Sequence, residues 1–215
     1  MFDHVTISVS DRGASERFYD TVLAAIGVSK DASGEVYAEW GDFSLQQAED
    51  RVTRRLHVSF QASSRELVDT FWRAGVDAGY RDSAEAVHHG ELRGRSLIDH
   101  LWIRVADVAA SKQFYETIAP HAGIHLAADM PERARFEGSG STFSLVDGEP
   151  TESVHLAFPA ADNATVEAFH RAGIEAGYRD HGGPGERPVY HPGYYGAYLL
   201  DPDDNNVEVV NHNRG

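Results

Sequence analysis

Three side chains of this chain are expected to hold a divalent metal ion together: His100, His155 and Glu208. Each sits in a short stretch where apolar residues alternate with others, which is the pattern of a half-buried strand. In the first, Leu101, Ile103 and Val105 make the apolar face, so His100, Trp102 and Arg104 point the other way. In the second, Leu156 and Phe158 are inward and His155 is outward. In the third, Val207 and Val209 are inward and Glu208 opposes them. Two imidazoles and one carboxylate on the uncovered face of a sheet form the ligand set of a facial triad, which leaves coordination positions open for substrate. The carboxylate offsets one unit of a dication, and the remaining charge polarises a substrate oxygen.

Around this set the sequence places four further candidates. Tyr198 lies ten residues before Glu208, on the strand antiparallel to it. His191, in the loop VYHPGYY, can serve as an acid or base near neutral pH. Trp102 and Arg104 share the face of His100 and are expected to bind substrate, Arg104 through an anionic group. His88, His89, His121, His125, His170, His181 and His212 read as solvated histidines of linkers, helices and termini.

The elements that must position these residues come in two copies. Residues 3–28 align without gaps on 99–124 with about 11 identities in 26 positions, and 56–82 on 154–180 with about 13 in 27. Each copy reads as strand, helix, short hairpin strands, then strand and helix. Helical spacing of Phe18, Val22 and Ile26, a cap at Ser10 or Asp11 and a stop at Gly27 define the first helix. Val68, Phe71 and Trp72 are expected inward on the second. The copies part after the second helix. The second continues through a Gly/Pro loop, HGGPGERPVYHPG, whose GGPGERP stretch is read as a lid or crossing loop, into a strand YYGAYLL, a turn and a last strand VEVVNH. The first has only SAEAVHHGELRGRSLI, too short for a loop, two strands and a linker. The expected division is therefore a truncated, metal-free first domain over 1–97 and a complete metal-binding domain over 98–215. The edge left by the missing hairpin needs a cover, from the second domain or from another subunit of a homodimer.

Composition narrows the function. With 34 acidic against 19 basic side chains and a net charge of −15, the chain repels phosphate backbones and anionic lipid surfaces. The absence of cysteine excludes thiolate ligands and disulfides, so a metal rests on imidazole and oxygen. No apolar run is long enough to span a bilayer and the start lacks a secretory signal, so a cytoplasmic setting is expected. No phosphate-cradling glycine loop is present, because GGPGERP follows a helix.

The DH dipeptide at a first strand, VHLAF before a second helix, and GYYGAYLLDPDDNNVEVV at the end resemble the vicinal oxygen chelate superfamily. This group includes glyoxalases, bleomycin resistance proteins, fosfomycin resistance enzymes and extradiol dioxygenases, and the resemblance covers almost the whole chain. It implies an α+β fold of tandem βαβββ modules curling into open cups, with the first repeat lacking its terminal hairpin. It also implies ligands on the first strand of each module and on a last strand, positions that His100, His155 and Glu208 occupy, and, by similarity to the dioxygenase branch, a substrate-bonding tyrosine at Tyr198. In the first copy His4 and His57 match two of these, with Glu39, Gln46, Gln47 or Glu91 as substitutes for the missing carboxylate. The implied cofactor is a divalent metal ion, Fe2+ first, with Zn2+, Mn2+ or Ni2+ as alternatives. The implied activity is dioxygenase-like or glyoxalase-like lyase and isomerase chemistry on a small oxygenated molecule. The other reading is a metal-free protein that sequesters a drug or metabolite, as bleomycin resistance proteins do.

Overall fold

The computed structural model describes residues 1–82 and 96–213. Its first module comprises β1 (His4–Val9), α1 (Arg12–Ala24), β2 (Ala32–Ser33), β3 (Tyr37–Trp40) and β4 (Phe43–Gln47). Then follow β5 (Leu56–Phe60) and α2 (Arg65–Asp77). The second copy repeats the first module as β6 (Ile98–Val105), α3 (Val108–Ala122), β7 (His125–Met130), β8 (Arg133–Gly138) and β9 (Ser141–Asp147). It ends with β10 (Val154–Pro159), α4 (Asn163–Glu175), β11 (Arg179–Glu186), β12 (Tyr195–Leu200) and β13 (Asn206–Asn211). The fold is α+β, with four helices among the described residues lying on open mixed sheets, as the resemblance implies. No helix of the described residues is long and apolar enough to cross a membrane.

Local chemistry sets the helix ends. The Asp11 and Asp162 carboxylates accept the amides of Ala14 and Thr165 at 2.8 Å, and Gly123 closes α3 in the left-handed conformation at φ +64°. Trp72, expected inward, is 37% exposed; Phe71 makes the packing contact on α2 instead. The stretch read as a lid after Asp180 is in large part β11, an edge strand paired with β12 through two register shifts. Gly182 at φ +155° and Pro184 suit such an interrupted edge, where a missing amide costs no ladder bond.

Strand pairing departs from the repeat boundary. The eight-stranded sheet runs β11-β12-β13-β10-β1-β4-β3-β2, and the five-stranded sheet β5-β6-β9-β8-β7. The first module therefore pairs with the last one, through β1 antiparallel to β10 with Thr6 opposite His155. The two middle modules meet through β5 and β6, with His57 opposite Trp102. The division at residue 97 separates the repeats but not the sheets. A pair of matching hydrogen-bond clasps holds the exchange: Ser8 N donates to Thr53 Oγ1, whose hydroxyl donates to Ser153 O at 2.5 Å. Correspondingly, Arg104 N donates to Thr151 Oγ1, whose hydroxyl donates to Arg55 O at 2.7 Å. Arg55 and Ser153 take positive φ at equivalent positions, turning both linkers into the strands that cross over.

One core runs under both sheets. Val5, Leu45, Leu156, Phe158, Val207 and Val209 are fully buried on the helix side of the larger sheet, and Leu101, Ile103, Phe136 and Phe143 on that of the smaller. Phe2 bridges them, its ring 5.4 Å from Phe158 and 6.1 Å from Phe143. Each such side chain contributes roughly 1.5–3 kcal/mol by leaving water, enough to fix the pleat phase that turns the intervening polar residues to the opposite face.

Candidate metal centre

That opposite face brings together His4, His155 and Glu208, whose ligand atoms all lie within 4.8 Å of one another. His4 Nε2 is 3.1 Å from His155 Nε2 and 3.8 Å from Glu208 Oε2, and His155 Nε2 is 3.0 Å from the same oxygen. The register explains the meeting: β10 pairs β1 on one side and β13 on the other, with Ala157 opposite both His4 and Glu208. Of the three expected ligands the structure brings His155 and Glu208 together. His100 is not with them. It lies on β6 in the smaller sheet, because β10 takes β1 and not β6 as its neighbour, and the repeat-equivalent His4 stands in its place.

The donor set fits a divalent cation. The Asp3 carboxylate can only accept, so its 2.8 Å contact fixes a proton on His4 Nδ1 and leaves the Nε2 lone pair of the neutral ring facing the cluster. His155 Nε2 then has to serve both His4 and Glu208 with a single proton, whereas a dication satisfies all three lone pairs together. Bonds of about 2.1 Å give neighbouring donors separations of about 3.0 Å in an octahedral arrangement and 3.4 Å in a tetrahedral one, close to the spacings found. The Glu208 side chain is 1% exposed, and its second oxygen accepts from Tyr194 Oη at 2.8 Å. A buried carboxylate beside two imidazoles has a use as a charge partner and none in packing.

The charges act on one another. Burial opposes the charged form of His4, but the Asp3 hydrogen bond and the charges of Glu208, Asp3 and Glu39 outweigh it, so its pKa is raised. His155 is held below its ordinary value by burial, against the pull of Glu208. Burial, with the charge of Glu208, pushes both Tyr194 and Tyr198 up, so both hydroxyls keep their protons at neutral pH.

Tyr198 stands opposite Glu208 on the neighbouring strand, 6.3 Å between its ring and that of His155, with Arg187 5.5 Å over its face. His191 reaches the centre indirectly, through His212. Trp102 and Arg104 are on the smaller sheet. Trp102 packs against His57 and His100, with the Arg133 guanidinium 4.6 Å from its ring, and the bond between Arg104 N and Thr151 belongs to the linker clasp. Neither lines the His4 cluster, again because β6 sits in the other sheet. There, His57 Nε2 and His100 Nε2 are 3.1 Å apart and Asp99 holds His100 Nδ1 at 2.7 Å, a copy of the first pair. Among the described residues no strand corresponding to β13 pairs beside β5 to bring a carboxylate to it.

Of the substitute ligands, Glu39 and Gln46 share the sheet face of His4, and Gln47 instead caps Arg12 N. Glu91, His88 and His89 lie outside the described residues. His170 bonds Asp180 at 2.9 Å. Sequence reasoning missed Tyr194 and His212. The second was legible, since residues 208, 210 and 212 share one pleat phase; Tyr194 precedes its strand and gave no periodic signal.

No protein-family model matches the chain, and no curated protein does. Among solved structures the chain is similar to glyoxalase I from Zea mays, at 17% identity over 98% of this chain and 92% of that one, TM-score 0.62. It is also similar to a glyoxalase/bleomycin resistance protein from Albidiferax ferrireducens, at 29% identity over 54% of this chain and 98% of that one, TM-score 0.47. A likeness of the full length at this identity shows the fold.

Proposed function

We propose that this chain, which has the fold of the vicinal oxygen chelate superfamily, is a metal-dependent enzyme acting on a small oxygenated substrate, with the metal held by His4, His155 and Glu208. The convergence of these three side chains on one point carries the reading. When bound, the cation supplies Lewis acidity toward two neighbouring substrate oxygens. The chain's own residues do the rest. Glu208 offsets part of the charge, Tyr198 keeps its proton and donates a hydrogen bond to a substrate oxygen, and buried Tyr194 covers the carboxylate side.

Two imidazoles and one carboxylate are the set used by oxygen-activating non-haem iron enzymes, which places ring-cleaving dioxygenation first. Glyoxalase-type isomerisation is the second reading, favoured by Glu39: it shares the face of His4 two strands away and supplies a carboxylate for carrying a proton between carbons. Elemental analysis of the purified protein, followed by anaerobic loading with Fe2+, tests the proposal. Oxygen uptake with catechols supports the first reading, and turnover of methylglyoxal with a thiol supports the second. A protein that takes up no metal, yet binds a small molecule tightly, refutes both in favour of sequestration.

A further inference from the structure

The loop between β11 and β12 is tied to two of the three ligands by separate routes. Tyr194 Oη donates directly to Glu208 Oε1. His191 acts at longer range. Its Nε2 lies 2.7 Å from His212 Nδ1, His212 Nε2 lies 2.9 Å from Asp3 Oδ2, and Asp3 Oδ1 takes the proton of His4 Nδ1 at 2.8 Å. The two outer rings are stacked, centroids 5.0 Å apart and planes 16° from parallel. The loop itself is closed by Arg187 N donating to Tyr194 O at 2.8 Å, and Asn213 Nδ2 donates to Gly193 O at 2.8 Å.

Hydrogen-bond accounting gives this chain a direction. At one end stands the Asp3 carboxylate and at the other the Pro192 carbonyl, 2.8 Å from His191 Nδ1; both can only accept. The His191–His212 pair thus presents donors outward at both ends, and Asp3, receiving from His212 and from His4, has both oxygens engaged. A ligand histidine whose far nitrogen donates to such a carboxylate has its tautomer and ring orientation set for the metal. The smaller sheet holds the same contact between Asp99 and His100, but among the described residues no counterpart of β13 stands beside it.

We propose that Asp3, His212 and His191 are positioning residues. They hold His4 as the Nδ1–H tautomer with Nε2 turned toward the metal, and through them residues 187–194 preset the site. The inference rests on the metal reading above and names the parts that make the site rigid.

The test measures Zn2+ affinity by competition with a chromophoric chelator, and the His4 tautomer by 15N NMR of the metal-free protein, with melting curves to verify folding. Asp3→Asn and His212→Phe should each weaken Zn2+ binding roughly 10–100-fold. His212→Gln, whose amide can still donate to Asp3, should recover most of the loss, and the double variant Asp3→Asn/His212→Phe should bind no more weakly than Asp3→Asn alone. In Asp3→Asn the proton of His4 should leave Nδ1 for Nε2. Wild-type affinity and an unchanged tautomer in folded His212→Phe would overturn the positioning role. If instead the wild type holds Zn2+ no better than His155→Ala, the metal reading fails, while the His4 tautomer still decides whether the chain orients that ring.

Discussion

Adding one methyl group at Gly196 should disable the metal centre while leaving all three ligands in the sequence. A Cβ at this position on β12 would stand 2.5 Å from Glu208 Oε1 and 3.3 Å from Tyr194 Cε1. Real Cβ atoms essentially never approach closer than 3.0 Å, and ordinary contact begins at 3.4 Å, so the carboxylate must retreat by half an ångström to nearly one. It has little room to do so. Its side chain is 1% exposed, and Tyr194 Oη is bonded to the very oxygen being pushed. Rotating Oε1 away carries Oε2 off the point shared with His4 and His155. Overpacking of this kind costs about 1–3 kcal/mol of stability, and a displaced ligand support loosens metal about 10–100-fold, equivalent to roughly 1.4–2.8 kcal/mol. Chelator competition reads the affinity and a thermal melt the stability of Gly196→Ala. A folded variant with wild-type affinity would mean that the position of Glu208 does not matter to the metal, and the three-ligand assignment would be wrong.

Four further outcomes follow from the same geometry. His4→Ala should lose metal by on the order of a thousandfold, a one-third share of the roughly 10–16 kcal/mol typical of a protein metal site, while His100→Ala should leave it bound; elemental analysis of both variants decides, and the reverse result would restore His100. Gly173→Ala should destabilise by about 1–3 kcal/mol, because the new Cβ runs into fully buried Leu199, whereas Gly75→Ala at the equivalent repeat position meets only Val22 at 3.4 Å and should be neutral or slightly stabilising in urea titrations. Thr151→Val leaves Arg104 N and Arg55 O without their buried hydroxyl partner and should cost about 1–3 kcal/mol, read as a lower urea midpoint.

The last outcome concerns pH. The raised pKa of His4 means that its proton must be displaced by metal, so affinity is present above that folded pKa and falls as pH drops through it. In the metal-free protein the same shift has the opposite sign: the stability contributed by charged His4 is full below its unfolded pKa, near 6.5, and is lost as pH rises through the folded value. Titrations of Zn2+ affinity and of urea stability against pH should therefore slope in opposite directions over this window, and parallel slopes would refute the coupling.

The sequence alone determined the repeat, the order of elements within each copy, and the pleat phase of His4, His57, His100, His155 and Glu208. All of these rest on local spacing or on comparison of one copy with the other. It could not decide which histidine joins His155. His4 and His100 open equivalent strands with the same dipeptide and the same alternation, so every local signal is equal for the two. Only long-range pairing separates them, by setting Thr6 beside His155 and Leu101 beside Val58. Those registers come from the crossed linkers with their Thr53 and Thr151 clasps and from a core shared by both sheets, contacts between residues about one hundred positions apart that leave no period in the chain. The same pairing moved Trp102 and Arg104 away from the centre and brought Tyr194, His212 and Asp3 to it, because a side chain's face is fixed by its own strand but its neighbours are fixed by the strand alongside.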